Sequence, residues 1–292
     1  MLGLPKLKLL ISFQIEKLHN MSSRNHTPSA LEPYLRLPPE ASLILLTGTL
    51  GCSAHWLTAS LLNAENTLAV EGSHGKETGV ILVSWMRDLA VWKNEIRRTT
   101  GVDVAKLAKE GRFGFVDCFT TLSDLKEEDI MAELEKMITA AITQIVQQKR
   151  DVVLVLDNPD ALLALNLCTA QQLNTLILGL RSSVHSTVLS VSADLPLLAA
   201  ATSDMDRIPS PLEIECAAFV VQQAHMSRFV MSVRELDTGA AKDISGVLRV
   251  TRGGAAYDED EEDSDEVKEM EALYLVQKDG NAKVFERGSS SI

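Results

Sequence analysis

Between Asp151 and Asp157 the chain runs Val152-Val153-Leu154-Val155-Leu156 without a polar interruption. A strand with one wet face would alternate apolar and polar residues. Continuous apolarity at strand length is the mark of a central strand covered on both faces, as in a parallel sheet. The same kind of segment recurs at Leu43–Leu46, Gly79–Ser84, Arg112–Asp117 and Thr187–Val191. Helical patterns separate these runs. Leu89, Trp92 and Ile96 mark a helix from about Met86 to Arg98, with Arg87, Lys93, Arg97 and Arg98 on its other side. Met131, Leu134, Ile138, Ile142 and Ile145 mark a longer one from Glu127 to Gln148, and shorter patterns cover Ala161–Leu167 and Gln171–Arg181. Strand alternating with helix predicts a mostly parallel central sheet with helices on both faces.

From Leu212 the character changes. Ile214–Val221, Arg228–Leu236 and Val247–Thr251 are rich in β-branched residues and read as strands. Ala272–Val276 and Lys283–Arg287 flank Lys278-Asp279-Gly280-Asn281, whose Asp-Gly pair suits a hairpin. Antiparallel hairpins are therefore expected to finish the sheet.

The first strand enters a turn that has the outline of a phosphate-binding loop. Leu43–Leu46 leads into Thr47-Gly48-Thr49-Leu50-Gly51-Cys52, and a helical pattern follows from Ser53 to Leu62. Counted from Gly48 against G-x-x-x-x-G-K-[ST], Ser53 stands at the second glycine, Ala54 at the lysine and His55 at the hydroxyl residue. All three diagnostic positions differ. The lysine neutralises the β- and γ-phosphates and the hydroxyl holds Mg²⁺, so phosphoryl transfer has no support here. Loss of one charge-assisted contact alone weakens binding by about 1.5–3 kcal/mol. Asp157 ends its strand where a Walker B aspartate would hold the metal, but Asn158-Pro159 follows where a hydrolytic enzyme would often offer a glutamate. Gly75-Lys76 is a decoy in a polar loop, without the strand or the glycine spacing. No catalytic residue, metal ligand or cofactor is expected.

The bulk properties agree with an intracellular protein. Of 292 residues, 46% are hydrophobic and 23% charged, enough for a core. No apolar run approaches the roughly 20 residues of a membrane-spanning helix. Cys52, Cys118, Cys168 and Cys216 are scattered and read as reduced thiols; the six histidines show no metal spacing. The net charge is −12, and the run Asp258–Glu266 supplies eight of those charges. Such a block repels itself and is expected to be a disordered insertion over about 256–270. Residues 1–30 read as a flexible leader with a possible second start at Met21, followed by a single domain over 31–292.

Strand, degenerate loop, helix, repeated β-α units, a Walker-B-like strand and terminal hairpins together outline a RecA-like ATPase domain without functional Walker motifs. More specifically, the chain resembles the fungal Elongator complex protein 6 family. Leu31–Tyr34, Leu37–Gly48, Val83–Asp88 with Trp92-Lys93, Arg112-Phe113 with Phe115–Asp117, and Gly246–Gly254 carry the resemblance, which spans Leu31–Arg287. It implies a non-catalytic subunit that joins two related RecA-like subunits in a hetero-hexameric ring, two copies of each. The ring would dock on the catalytic half of Elongator and bind tRNA, supporting C5 modification of the wobble uridine. It implies a cytoplasmic location, with the nucleus as a second, and no membrane. The loop Ala193–Leu212, with Arg207, would face the bound tRNA. Aromatic residues are only 4% of the chain, too few for an independent single-strand platform, so a composite RNA surface is expected. Two other readings share parts of this pattern: a RecA-like recombination paralogue acting in DNA repair, and an ATP-binding enzyme with an unusual loop.

Overall fold

A computed structural model describes residues 28–62, 77–122, 130–201, 208–239, 241–257 and 268–286. After a 3-10 turn at Glu32–Tyr34 come β1 (Leu43–Gly48), α1 (His55–Leu61), β2 (Thr78–Ser84), α2 (Leu89–Thr100), α3 (Val104–Lys109), β3 (Phe113–Asp117) and α4 (Cys118–Thr121). The chain continues through α5 (Ile130–Val146), β4 (Asp151–Asp157), α6 (Ala161–Ala164), α7 (Ala170–Arg181), β5 (Ser186–Ser192), α8 (Leu195–Leu198) and α9 (Pro211–Met226). It ends with β6 (Phe229–Arg234), β7 (Gly246–Arg252), β8 (Met270–Val276) and β9 (Ala282–Glu286).

Among the described residues these strands form one nine-stranded sheet in the order β3-β2-β4-β5-β1-β6-β7-β8-β9. Every pairing from β3 to β6 is parallel, and β7, β8 and β9 add antiparallel. The α/β architecture expected of the sequence is thus present, terminal hairpins included.

The continuous apolar runs are explained by the two cores. On β1, Ile44 and Leu46 enter one core while Leu43 and Leu45 enter the other; on β4, Val153 and Val155 oppose Val152, Leu154 and Leu156. The first core is closed by α1 and α2 through Trp56, Leu57, Trp92 and Ile96. The second is closed by α5, α7 and α9, whose Ile138, Leu173 and Phe219 are fully buried.

One expected strand is a helix. Ile214–Val221 lies inside α9, which starts at a capping box: Ser210 Oγ accepts from Glu213 N at 3.3 Å, and Ser210 N donates to Glu213 Oε2 at 2.7 Å. Pro211 occupies the first turn, where a missing N–H costs nothing. Cys216, Phe219, Val220 and Gln223 then recur at helical spacing on the buried side. The Ser-Pro-x-Glu signal and this period outweigh the β-branched content. The helix expected from Met86 starts later, at Leu89, because the Asp88 side chain accepts from Val91 N and caps it. Arg207 and the acidic run Asp258–Glu266 lie outside the described residues. Gly254–Tyr257 form a 3-10 turn and β8 begins at Met270 on either side of that run.

Leu154 is completely buried, and its truncation leaves a cavity in the central strand. Leu154→Ala is expected to lower unfolding free energy by about 2–5 kcal/mol in denaturant titration, whereas Leu178→Ala on the exposed face of α7 changes it by less than about 0.5 kcal/mol. Equal effects would contradict this layering.

Candidate functional site

The carboxyl ends of β1, β2, β4 and β5 open into a cleft of about 810 Å³, the position at which open parallel sheets bind ligands. The degenerate loop forms one wall. Gly48 is required by close approach: a Cβ there would stand 2.9 Å from Cys52 O and 3.3 Å from Ala54 N. Gly51 has φ +88°, which its lack of a side chain permits.

Several of the loop's amides are bonded within the chain. Thr49 N donates to Cys52 O at 3.1 Å and Cys52 N to Thr49 O at 2.8 Å, closing a tight turn with Leu50 and Gly51 at the tip. Leu50 N donates to Asp194 Oδ1 at 2.7 Å, from the loop after β5. His55 N donates to Ser53 Oγ at 3.3 Å, and that hydroxyl also contacts the His55 ring at Nδ1. In a phosphate-binding loop such amides face the ligand. Here the Leu50 amide is bonded to a carboxylate of the chain itself. The turn is also tied to the C-terminal strands: Cys52 Sγ donates to Ser245 O at 3.3 Å, and Trp56 stacks on Tyr274 with centroids 5.0 Å apart.

The Walker-B-like acid is occupied in the same manner. Asp157 is fully buried. Its Oδ2 accepts from Ser84 Oγ at 2.7 Å and from Arg87 Nη1 at 3.1 Å; its Oδ1 accepts from Ser190 Oγ at 3.2 Å and from Arg87 Nη1 at 3.3 Å. The guanidinium therefore stands where a metal-bound water or cation would approach this acid. Arg87 is itself held over Trp92, 5.9 Å from the ring centroid, and its N–H donates to Ser84 Oγ. Burial raises the Asp157 pKa, while Arg87, Ser84 and Ser190 pull it down.

His55, at the position of the magnesium hydroxyl, packs edge-on against Trp92 with centroids 5.9 Å apart. Burial, and then the Arg87 charge, lowers its pKa to about 3, so it is neutral at physiological pH. Asp160 also lines the cleft, accepting from Ser192 N at 3.0 Å and from Asn158 Nδ2 at 3.4 Å; burial raises its pKa. Asp160 and Asp194 line the cleft beside Arg87, and Asp157 is paired with that guanidinium. That balance disfavours a polyphosphate, and Ala54 supplies no cation. A magnesium nucleotide does not suit these residues. Among the described residues no group of three or more His, Cys, Asp or Glu is arranged to hold a metal, and no helix is long and apolar enough to cross a membrane.

The sequence reading brings together Gly48, Ser53, Ala54 and His55 on the loop and Asp157 opposite; the structure places the four loop residues on one cleft, with Asp157 buried beneath Arg87, which lines it. The sequence reading put Arg87 on an outer helix face instead, and it did not single out Asp194 or Asp160. The rim of the cleft is apolar and open: Leu50 is 86% exposed, and Met86, Phe119 and Leu165 are each at least half exposed.

No protein-family model matches this chain. No curated protein matches it either. Among solved structures it is similar to a KaiC-like protein of the hyperthermophilic archaeon Pyrococcus horikoshii, at 14% identity and a TM-score of 0.49, over 85% of this chain and 90% of that one. The sheet order described above stands without that likeness.

Two outcomes test this electrostatic picture. Arg87→Ala leaves a buried acid without its cation and is expected to cost about 3 kcal/mol at neutral pH. Asp157's native pKa then rises further, so the loss is small where the acid is protonated in both folded proteins and grows as pH rises through the wild type's folded pKa, which burial holds above the ordinary carboxylate value. A loss independent of pH would show that Arg87 acts through packing alone. For His55, a lowered native pKa means that its contribution to stability is present above 6.5 and lost as pH falls toward 3. Thermal unfolding of His55→Phe should therefore be less acid-sensitive than wild type between those values; parallel curves would place His55 in water.

Proposed function

We propose that this chain is a non-catalytic RecA-like subunit of the Elongator complex, which assembles with two related subunits into a hetero-hexameric ring, docks on the catalytic half, and helps hold tRNA for wobble-uridine C5 modification. The family resemblance over Leu31–Arg287 suggests the complex. The observation that carries the non-catalytic part of the reading is the Arg87–Asp157 pair together with the Asp194 contact to the loop amide. Each takes a place that a nucleotide complex would need, so the cleft gains nothing from ATP.

An apolar rim around a cleft without a nucleotide suits burial against another protein. Leu50, Phe119 and Leu165 would be covered by a neighbouring subunit, which makes these positions dispensable for folding and important for assembly. RNA contact would be shared among subunits, since no basic and aromatic stripe is present in this sequence.

Purification of the tagged chain from its own cells, with mass spectrometry of what accompanies it, tests the reading. Two further RecA-like subunits, the Elongator scaffold and its catalytic subunit are the expected companions; a recombinase, or a stable lone monomer, would overturn it. The Leu50→Asp/Phe119→Asp variant is expected to keep its melting temperature and to lose at least about tenfold in affinity for its neighbours, corresponding to burial of two large apolar side chains. Magnesium ATP at millimolar concentration should leave the thermal midpoint of the wild type unmoved, and a saturable upward shift would sink the non-catalytic reading.

A further inference from the structure

Ser210 caps α9, and its hydroxyl carries a chemistry that capping does not use. It stands between two prolines, in Ile208-Pro209-Ser210-Pro211-Leu212. A serine or threonine followed by proline occurs at only two places in the chain, Thr27-Pro28 and Ser210-Pro211, and Thr27 lies outside the described residues.

The Ser210 hydroxyl is open to another enzyme. Ile208 is 91% exposed, and Ser210 and Pro211 are exposed beside it. The Ser210 backbone is extended, with φ −70° and ψ 158°, because the ring of Pro211 disfavours the helical region for the residue before it. An extended segment is the form in which an enzyme cleft can hold a peptide along its length. Pro211 has no N–H, so an enzyme that binds this segment need offer no acceptor at that position. The hydroxyl's hold on the helix is also weak: Glu213 N reaches Ser210 Oγ at 3.3 Å, longer than the usual bond of this kind. Turning that oxygen outward therefore breaks no strong contact.

We propose that Ser210 is a phosphorylation site for a proline-directed protein kinase. The γ-phosphorus of ATP loses its bond to the bridging oxygen as it bonds to Ser210 Oγ; the hydroxyl proton passes to the kinase's catalytic carboxylate, and ADP leaves. The product carries about −1.5 to −2 charges at neutral pH. It stands at the amino end of a 16-residue helix, whose free amides and dipole favour it. The same charge faces Glu213, whose carboxylate in the unmodified chain accepts from Ser210 N at 2.7 Å. Phosphate thus takes over the cap and repels that carboxylate from it. Leu212, two residues on, lines the loop cleft, so the modification sets a strong negative charge beside the apolar rim. The proposal does not depend on the Elongator reading, since it needs neither a ring nor RNA.

Incubation of the full chain with magnesium ATP and recombinant proline-directed kinases of the mitogen-activated and cyclin-dependent classes tests the site, with the phosphate located by mass spectrometry. Phosphate is expected on Ser210, absent in S210A, and retained at position 210 in S210T and T27A. In P211A it should be lost although the hydroxyl is still present. Circular dichroism of each variant beforehand establishes that the substrate is folded. No phosphate on the folded wild type, phosphate confined to Thr27, or phosphate on Ser210 only after heat denaturation overturns the proposal. Equal labelling of P211A and wild type overturns it as well, because exposure alone, and not the Ser-Pro pair, would then be read.

Discussion

A sheet of six parallel strands has no face that it can turn to water. Each of its strands delivers apolar side chains to both sides, so two separate cores must form together, one under α1 and α2 and the other under α5, α7 and α9. This double burial leaves only the strand ends for polar chemistry. At the carboxyl ends the chain places its loop, its buried acid and the residues that neutralise it. The central sheet thereby fixes where each kind of site can be, before any functional residue is chosen.

The loop cleft shows how the outline of a phosphate-binding loop can hold its shape through bonds within the chain. A buried carboxylate such as Asp157 is costly without a partner. Arg87 supplies that partner internally, and the Ser84 and Ser190 hydroxyls complete the shell. The amides of Thr49, Leu50 and Cys52 meet the same demand through Asp194 and through bonds within the turn. Internal satisfaction lets the architecture persist without a bound molecule, while the exposed rim becomes available for contacts of another kind.

Much of this was legible from local sequence. Continuous apolar runs located the central strands, and the count from Gly48 located the altered loop positions. Asp157 was recognisable because it closes such a run. Arg87 was misplaced because helical periodicity drew it into α2; Asp88 caps that helix, so Arg87 precedes it and turns toward β4. Its position, three residues beyond the end of a strand beside Asp157's, was the signal available. Asp194 meets Leu50 across 144 residues, a pairing that no local pattern reveals. For α9 the information was present in Ser210-Pro211-Leu212-Glu213, where capping chemistry overruled the β-branched composition that followed.

The stacking of Trp56 on Tyr274, with the Cys52 thiol on Ser245, has a consequence for how the molecule breathes. In a nucleotide-driven domain the loop must be free to respond to its ligand without disturbing distant strands. Here the turn and the terminal hairpins share one packed contact, so opening either exposes the other. Loop and hairpin become one cooperative unit, so that fraying of the C-terminal strands is felt at the cleft.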